Sequence, residues 1–400
     1  MFMSTIAVEE TMESFLAGLQ WHGFPRADGR VGARNYRIVL STVALTDRLA
    51  AQIASTDPAA VLVSGGFSRG LQQQDEAVVE AFIRSVLHHP NVGAALVLAH
   101  DRKTAERLQQ MARADMPLRV LAFMACNGRG DALESGTRAL AELAAMAPPE
   151  RQPQPFSAVS VGLECGGSDV SSSLCTNPLI GEICDLLVAA GGMAVVSETA
   201  EFIGAEAVVE QRCADAAVRS CILGYIRRSE QLMQQDSGKD YRGTNPTEEN
   251  IEGGLTTLIE KSMGAVSKTG TTDFVSGIAF GETPALPGLH FMDTPFFSPA
   301  SLTGMMMAGC TLSLFAMGVF NPSGNPLCPT IKLCGNPRTI AAWKDQIDIS
   351  LEEYFLGAVS RQQAMEEMLR AINSIFNGRA SAAELAGEGQ FILPRGGPAL

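Results

Sequence analysis

Residues 157–169 read SAVSVGLECGGSD, in which a short apolar strand leads directly into a polar, glycine-rich turn. Thr176, Asn177 and Pro178 come next, and a cap residue followed by proline at the first helical position is a helix-start signal. A second apolar stretch, 193–197, follows after a helix-length interval. This order of strand, helix and strand predicts a parallel sheet with helices packed on its faces.

The N-terminal half repeats the same alternation. Its apolar, β-branched segments are separated by helix-length stretches; the segments are 36–43, 60–64, 94–99 and 118–124. The proline-rich stretch 148–155 cannot continue a helix and predicts an extended linker. We therefore expect an α/β protein with two Rossmann-like domains of mostly parallel sheets, arranged as an N-terminal arm (1–19), a first domain (20–147), a linker (148–156), a second domain carrying the active site (157–378) and a mobile tail (379–400).

The composition excludes several classes of protein. Of the 400 residues, 46% are hydrophobic and 18% are charged, which is typical of a globular core. The formal net charge of −13 repels nucleic-acid phosphates and anionic lipid headgroups, so we expect neither as a partner. Nine cysteines without a CxxC pair argue against a disulfide framework or a zinc ribbon. Because the first twenty residues contain no basic signal-peptide region, we expect a cytoplasmic protein.

The stretch between Asp293 and Lys332 contains no charged residue and no histidine. Prolines, glycines and hydroxyl residues interrupt it, which argues against a membrane-spanning helix. We expect a buried helix at 299–308 and a buried strand at 311–317. Asp293 and Lys332 need partners in such apolar surroundings, so both are candidate functional residues; the alternative is a structural ion pair.

Polar residues gather where the strand of the second domain ends. In open parallel sheets, ligands bind beyond the carboxyl ends of the strands, where glycine allows close approach of the backbone. Amides and a hydroxyl at this position can hold a carboxylate, and two acids can transfer protons. The simpler alternative is a tight turn whose polar residues cap the backbone. The candidates are Glu164, Cys165, Gly166, Gly167, Ser168 and Asp169.

Two further groups of charged residues follow. Glu198, Glu201 and Glu206 come after the next strand, where carboxylates could ligate a divalent cation, act as acid and base, or cap a helix. Lys261 and Lys268 lie seven residues apart, which places both amines on one helical face, suited to a carboxylate or an enolate unless they are surface lysines. No complete nucleotide-binding loop motif is present, so we expect no nucleotide cofactor.

Taken in order, these motifs resemble the altronate and galactarate dehydratase family, whose hydro-lyases remove water from hexonic and hexaric acids. The resemblance covers about residues 23–355 and is strongest over 157–350. The matching stretches are 28–36, 162–169, 176–178, 197–206, 253–270, 292–295, 303–304, 331–332 and 348–349.

The sequence departs from the family pattern in two regions. Family members usually begin with a small SAF-type domain; about twenty residues stand in its place here, so we expect that domain to be absent or to be a separate protein partner, as in related sulfolactate sulfo-lyases. In the first domain the family commonly carries cysteine motifs after three successive strands, whereas the corresponding positions here, 44–46, 67–71 and 98–100, contain no cysteine. This departure weakens the case for thiol-dependent iron chemistry.

The resemblance implies a hydro-lyase that converts an aldonate or aldarate to a 2-keto-3-deoxy acid through an enolate. Such chemistry needs a carboxylate clamp, a base and an acid. We assign the catalytic roles to Glu164, Asp169, Lys261, Lys268 and Asp293. We assign substrate binding to Cys165, Gly166, Gly167, Ser168, Thr176, Asn177, Thr269, Thr294, Asn321 and Lys332. A divalent cation (Fe, Mn or Mg), if used, is expected on Glu198 and Glu201.

Two alternatives to this function stay open. One is a C–S lyase similar to sulfolactate sulfo-lyase, which keeps the enolate chemistry but expels a different leaving group. The other is a non-catalytic sugar-acid binder or an inactive partner of a separate active subunit. The hydrophobic, Met-rich second domain favours a homodimer in each case.

Overall fold

A computed structural model describes residues 12–68, 70–237 and 240–396. Contacts within the chain divide it into two compact units: of the described residues, 22–152 and 390–396 form the first, and 12–21 and 153–389 form the second. Both units contain parallel sheets covered by helices, which confirms the predicted α/β fold class. None of the helices within the described ranges is both long enough and apolar enough to cross a bilayer.

The first unit contains a four-stranded parallel sheet in the order β4-β3-β5-β6. In chain order, the elements of the N-terminal part are helix α1 (described over 12–18), β1 (Trp21–Pro25), β2 (Val31–Gly32), β3 (Tyr36–Ser41), α2 (Ala44–Ala54), β4 (Ala60–Val63), α3 (Gln73–His88), β5 (Val92–Ala99), α4 (Arg102–Met111), β6 (Leu118–Ala122), α5 (Arg129–Ala144) and β7 (Gln152–Gln154).

Helices α2 and α5 pack against this sheet through apolar side chains one turn apart. Leu49 and Ile53 of α2 meet Val39 of β3 in a buried cluster. Gly136 of α5 allows the two helices to approach closely, because a Cβ atom there would lie 2.3 Å from Ile53 Cδ1. Fully burying each large apolar side chain contributes about 1.5–3 kcal/mol, so this face anchors the sheet.

The second unit contains a seven-stranded parallel sheet in the order β10-β11-β9-β8-β12-β13-β14. Its elements are β8 (Ser160–Cys165), α6 (Asn177–Ala189), β9 (Met193–Val196), α7 (Glu206–Gln211), α8 (Ala216–Ser237), α9 (Tyr241–Thr244), α10 (Glu248–Glu252), α11 (Leu258–Ser267), β10 (Phe274–Ile278), β11 (Gly288–Met292), α12 (Ser298–Met307), β12 (Leu312–Met317), β13 (Thr330–Cys334), α13 (Pro337–Ala342), β14 (Ile349–Ser350), α14 (Glu352–Phe355), α15 (Arg361–Phe376) and α16 (Ala382–Ala386).

The charge-free segment forms the centre of this unit. The predicted helix and strand are α12 and β12, and every residue of both is buried. β12 lies beside β8, while β9 lies on the other side of β8. The chain therefore reverses its direction of progress across the sheet at β8 and β12, and such a switch point leaves a crevice at the carboxyl ends of the strands.

Two predicted segments differ from the structure in the second unit. The sequence of residues 205–234 predicts a single long helix, but the structure divides it into α7 and α8. Arg212 turns away to bond the carbonyls of Thr269 and Thr272, and Asp215 caps the start of α8. The polar composition of 235–252 predicts a loop or lid, but the described part of this segment contains α9 and α10. A capping box formed by Thr247 and Asn250 starts α10.

The predicted tail also needs correction. Residues 379–389 belong to the second unit, where Ser381 is fully buried and caps α16. Residues 390–396 belong to the first unit, where the ring of Phe391 packs edge-on against Phe82 at 5.3 Å. The described part of the tail is therefore packed. Phe391 is its apolar anchor and Ser381 its helix cap, and the composition of the segment indicates neither. The predicted arm falls partly outside the described residues; its described part is α1, with Met12 and Leu16 buried.

Candidate active site

The packing of α12 on β8 places one carboxyl at the centre of the crevice. Gly162 admits Met305, whose Sδ would lie 2.4 Å from a Cβ atom at that glycine. Ser301 lies one turn before Met305 and Glu164 lies two residues after Gly162, so helix and strand periodicity bring the second pair together as well. Ser301 Oγ donates to Glu164 Oε2. Glu164 is fully buried, and its Oε1 has no hydrogen-bond partner among the described residues.

Glu198 follows β9 in a strained backbone conformation. Its φ of 62° is in the left-handed region, and no other non-glycine residue of the described ranges has a positive φ. Its backbone N–H donates to Thr294 Oγ1 at 2.7 Å, which connects the loop after β9 to the loop after β11. Ser298 Oγ lies 3.4 Å from its Oε1. Such strain costs about 1–3 kcal/mol and is concentrated at functional sites.

A buried ion pair completes this acidic group. Lys268 Nζ bonds Glu201 Oε2, and the two side chains are 0% and 2% exposed. Lys268 reaches this position from the end of α11, and Glu201 from the turn after β9. Breaking such a pair would leave an uncompensated buried charge, and this cost keeps both side chains in place.

Burial and neighbouring charges decide the protonation of this cluster. Desolvation raises the pKa of Glu164 to about 8, although Lys268 and the Ser301 hydrogen bond oppose this shift. Desolvation and the charges of Glu164 and Glu201 raise the pKa of Glu198 well above its usual range. The pKa of Lys268 is raised despite desolvation, because Glu201 favours its charged form. The cluster thus combines a fixed ammonium with a carboxyl that stays protonated at neutral pH.

Lys261 is held at the edge of the same cluster. Its Nζ donates to Asn245 Oδ1 and to Asn250 Oδ1, both at 2.9 Å, and lies 5.3 Å from the centre of the Phe296 ring. Burial lowers the pKa of Lys261, while the nearby charge of Glu201 opposes this. Lys261 is therefore closer to a neutral amine than an exposed lysine is, and a neutral amine can act as a base.

The turn after β8 contributes a thiol and several hydroxyl and amide groups. Cys165 Sγ lies 3.7 Å from Ser168 Oγ and from Asn177 Nδ2. Desolvation raises the pKa of Cys165 to about 12, so it is a neutral thiol and not a nucleophile. Thr176, in a π-helical turn, is fully buried, and its Oγ1 has no partner among the described residues. Such turns are frequent at functional sites.

The two predicted catalytic aspartates lie in loops at the same end of the sheet. Asp169 accepts hydrogen bonds from Ser171, Ser172 and Asn336, which fix its carboxylate across the β8–β12 switch point. Asp293 accepts from Thr199 Oγ1 at 2.8 Å and pairs with Arg228. Both aspartates are therefore held by protein groups, whereas Glu164 Oε1 has no hydrogen-bond partner among the described residues.

The structure does not bring four predicted substrate-binding groups into the cluster. Thr269 bonds Arg212, Asn321 closes a turn with Ser323, and the Gly166 amide donates to a strand carbonyl. Lys332 pairs with Glu388 and is screened from Glu164 by Phe315, which occupies the strand position between them. The geometry therefore favours a structural ion pair for Lys332 over a role in substrate binding.

The predicted metal ligands do not fit a divalent cation in this arrangement. Glu201 is paired with the Lys268 ammonium group, and Ser298 Oγ lies 3.4 Å from Glu198 Oε1, so both predicted ligands already have protein partners. Within the described ranges, no group of three or more His, Cys, Asp and Glu side chains is arranged to hold an ion. We therefore assign no chemical step to a metal.

Sequence reasoning missed three members of the site. Ser197 and Ser301 lie near the Glu164 carboxyl, and Tyr241 lies within electrostatic range of Glu201 and Glu198. Ser301 could have been found from its position four residues before Met305 on a buried helix. Tyr241 lies in a polar segment whose composition indicates only a loop.

Comparison with known proteins identifies the family of this chain. The family model for the D-galactarate/altronate dehydratase C-terminal region matches residues 156–399, and the second-domain model matches 23–148. The (2R)-sulfolactate sulfo-lyase subunit beta of Chromohalobacter salexigens is 31% identical over 95% of this chain and 98% of its own length. The altronate dehydratase of Escherichia coli is 30% identical over 90% of this chain and 74% of its own length.

The chain is also similar, over a shorter stretch, to a protein with a third activity. The galactarate dehydratase (L-threo-forming) of Escherichia coli is 28% identical over 58% of this chain and 44% of its own length. The two family models together span both units of the described fold. The chain therefore belongs to the D-galactarate/altronate dehydratase family and is an enzyme of the hydro-lyase type.

Proposed function

We propose that this protein dehydrates an aldonate or aldarate to a 2-keto-3-deoxy acid. The reaction removes the proton on the carbon next to the carboxylate, expels the hydroxyl of the following carbon as water, and forms an enol that rearranges to the ketone. The barrier lies in the negative charge that develops on the carboxylate as the proton leaves. A preorganised cation beside that charge lowers the barrier.

The cluster contains a group for each of these tasks. Lys268, fixed by Glu201, supplies a permanent positive charge in a dry environment. Lys261 has a lowered pKa and acts as the base that removes the proton. Glu198 has a raised pKa and is the acid that protonates the departing hydroxyl. Glu164 lies near this acid and limits the negative charge of the site while it keeps its own proton.

One observation supports the proposal most strongly. Two carboxyls with raised pKa values are buried around a charged ammonium at the carboxyl ends of β8 and β9. A merely structural cluster would pair each acid with a base, because unpaired buried acids are costly. Titratable groups whose pKa values are driven apart by their environment are the usual arrangement for proton transfer.

A keto-acid assay over a panel of aldonic and aldaric acids tests the proposal. Purified protein is assayed alone, after chelation, and with added Fe, Mn or Mg, so that any metal requirement is seen separately. Lys261→Met should abolish turnover, while the exposed Lys344→Met, a matched control, should leave it unchanged. No keto acid from any substrate under any of these conditions would overturn the proposed function.

A second candidate function is favoured by one comparison. The sulfo-lyase subunit beta is matched over 98% of its length, whereas the Escherichia coli altronate dehydratase is matched over 74%. In a C–S lyase the same base and cation would stabilise the enediolate while sulfite leaves. Incubation with sulfolactate distinguishes the two functions, since release of sulfite assigns the C–S lyase and its absence with keto-acid formation from a sugar acid assigns the dehydratase.

The remaining expectations about partners and location are also proposals. We expect a homodimer in the cytoplasm and a separate SAF-type domain protein as a partner. Light scattering of the purified chain tests whether it is a homodimer. Affinity purification from the source cells, followed by mass spectrometry, tests the second, and an increase of turnover on adding the recovered small protein would support it.

A further inference from the structure

Tyr241 carries a buried hydroxyl group. The residue is 8% exposed, and its Oη makes no hydrogen bond to any described residue. Leaving a buried hydroxyl unsatisfied costs about 1–3 kcal/mol. Such a group in an otherwise well-paired segment needs an explanation, and a bound polar ligand is one.

The position of Tyr241 connects it to the candidate active site. Its ring packs edge-on against Phe296 with the centroids 6.1 Å apart, and Lys261 Nζ lies 5.3 Å from the centre of the same Phe296 ring. Asn245, four residues after Tyr241, accepts a hydrogen bond from Lys261. Burial and the charges of Glu201 and Glu198 raise the pKa of Tyr241, so it is a neutral phenol that can donate a hydrogen bond.

Contacts of the following helix hold this segment over the turn after β8. Asn250 Nδ2 donates to Ser168 O at 3.0 Å, and Gly253 O accepts from Val170 N at 3.1 Å. Two more buried oxygens at this end of the sheet lack partners among the described residues, Thr176 Oγ1 and Glu164 Oε1. A ligand rich in hydroxyl groups would satisfy donors and acceptors of both kinds.

We propose that the Tyr241 hydroxyl hydrogen-bonds the substrate hydroxyl that leaves during dehydration, and so distinguishes substrates that carry a hydroxyl at that carbon. This inference rests on the proposed function. It follows from the contacts that Tyr241 and Lys261 both make with the Phe296 ring, and from the hydrogen bond that Lys261 donates to Asn245 on the segment of Tyr241. Sites built to hydrogen-bond a substrate hydroxyl reject analogues that lack it far more strongly than apolar pockets do.

The test compares the full-length wild-type protein with Tyr241→Phe and, as a matched control, Tyr354→Phe. For an aldonate that the wild type dehydrates, kcat/KM is measured together with the inhibition constant of its 3-deoxy analogue, which lacks the leaving hydroxyl. We expect Tyr241→Phe to lower kcat/KM about 10- to 100-fold and to change the inhibition constant less than about threefold. The Tm without ligand should stay equal or rise, because the change removes no hydrogen bond to a described residue. Tyr354→Phe should match the wild type in all three measurements.

Three outcomes would overturn the inference. An unchanged kcat/KM in Tyr241→Phe would show that the hydroxyl does not contact the reacting part of the substrate. An equal loss for the substrate and the 3-deoxy analogue would show that Tyr241 binds elsewhere on the ligand, and a lowered Tm would show a structural role. If the wild type itself dehydrates no acid, the proposed function fails first, and the inference fails with it.

Discussion

The two parallel sheets of this chain end in crevices of opposite character. In the first unit, the carboxyl ends of β3 and β5 open into a cavity of about 360 Å³. Its polar groups bond one another: Asp101 caps α4 through Thr104 N, and Arg107 pairs with Glu80. In the second unit, the corresponding edge is filled by buried acids and amines, and Glu164 and Tyr241 each have an oxygen without a partner among the described residues.

The difference teaches that the same topology does not by itself create a site. Both crevices lie at switch points of parallel sheets, where ligands commonly bind. Among the described residues, only the second crevice contains carboxyls whose pKa burial raises well above the ordinary value, next to a lysine whose pKa burial lowers. Function therefore depends on the residues grafted on the sheet edge, and the first two predictions below each contrast a residue of the second crevice with one of the first.

Removing the fixed ammonium should have the largest effect. Lys268→Met leaves Glu201 buried without its counter-ion, and breaking a buried pair in this way costs about 3–5 kcal/mol of unfolding free energy. The matched change in the first unit, Arg107→Met, breaks an ion pair whose side chains are 52% and 40% exposed, so it should cost less than about 1 kcal/mol. Chemical denaturation of both variants measures the contrast, and equal losses would contradict it.

Neutralising the proposed acid should affect turnover more than stability. Glu198→Gln keeps the shape of the side chain but removes the transferable proton, and loss of general acid catalysis lowers kcat about 10²- to 10⁴-fold. The free energy of unfolding should change little, because burial already favours the neutral form of Glu198.

The control for this change lies in the other crevice. His100→Gln alters a half-buried side chain that lines the cavity of the first unit, and kcat should stay within about twofold of the wild type. A loss in His100→Gln as large as that in Glu198→Gln would show that the first crevice also takes part in the reaction.

The fold was largely predictable from the sequence because its signals are local. The β-branched strands of both sheets, the proline at the start of α6 and the charge-free segment that forms α12 and β12 each specify an element within a few residues. The break between α7 and α8 was not predictable, since it depends on Arg212 bonding carbonyls about sixty residues away.

The candidate site was predictable only where chemistry and strand ends coincide in the sequence. Glu164 lies at the end of β8 and Glu198 follows β9, whereas Lys268 follows helix α11 and joins them through its pair with Glu201. Lys332 resembled them in its apolar surroundings, but its partner Glu388 lies 56 residues further along the chain and is invisible to local patterns. Tyr241 was missed for the opposite reason, because a short polar segment gives no sign that it packs over a crevice.

A smaller effect is expected in the pH dependence of stability and turnover, which should follow the ionisation of Glu164 in the second crevice. Because the pKa of Glu164 is raised to about 8 in the folded protein from an ordinary value of 4.5, folding favours its protonated form. The stability that this contributes is complete below pH 4.5 and is lost as the pH rises through about 8. Turnover should decline over the upper part of the same range, since ionised Glu164 adds negative charge beside the enediolate. Glu164→Gln should flatten the stability profile.

The smallest expected effect is a shift of this pH profile when Ser301 is substituted. Its hydroxyl hydrogen-bonds the Glu164 carboxylate and lowers the pKa of that group, in opposition to desolvation. A hydrogen bond to a charged group is worth about 1.5–3 kcal/mol, which corresponds to roughly one to two pH units. Ser301→Ala should therefore move the upper limb of the stability and turnover profiles to higher pH by about that amount. Ser313→Ala removes an equally buried hydroxyl that bonds Thr330 and not Glu164, and it should leave the limb in place. If the upper limb moves in both variants, or in neither, then Glu164 is not the group that titrates there, and Glu198 becomes the group to examine.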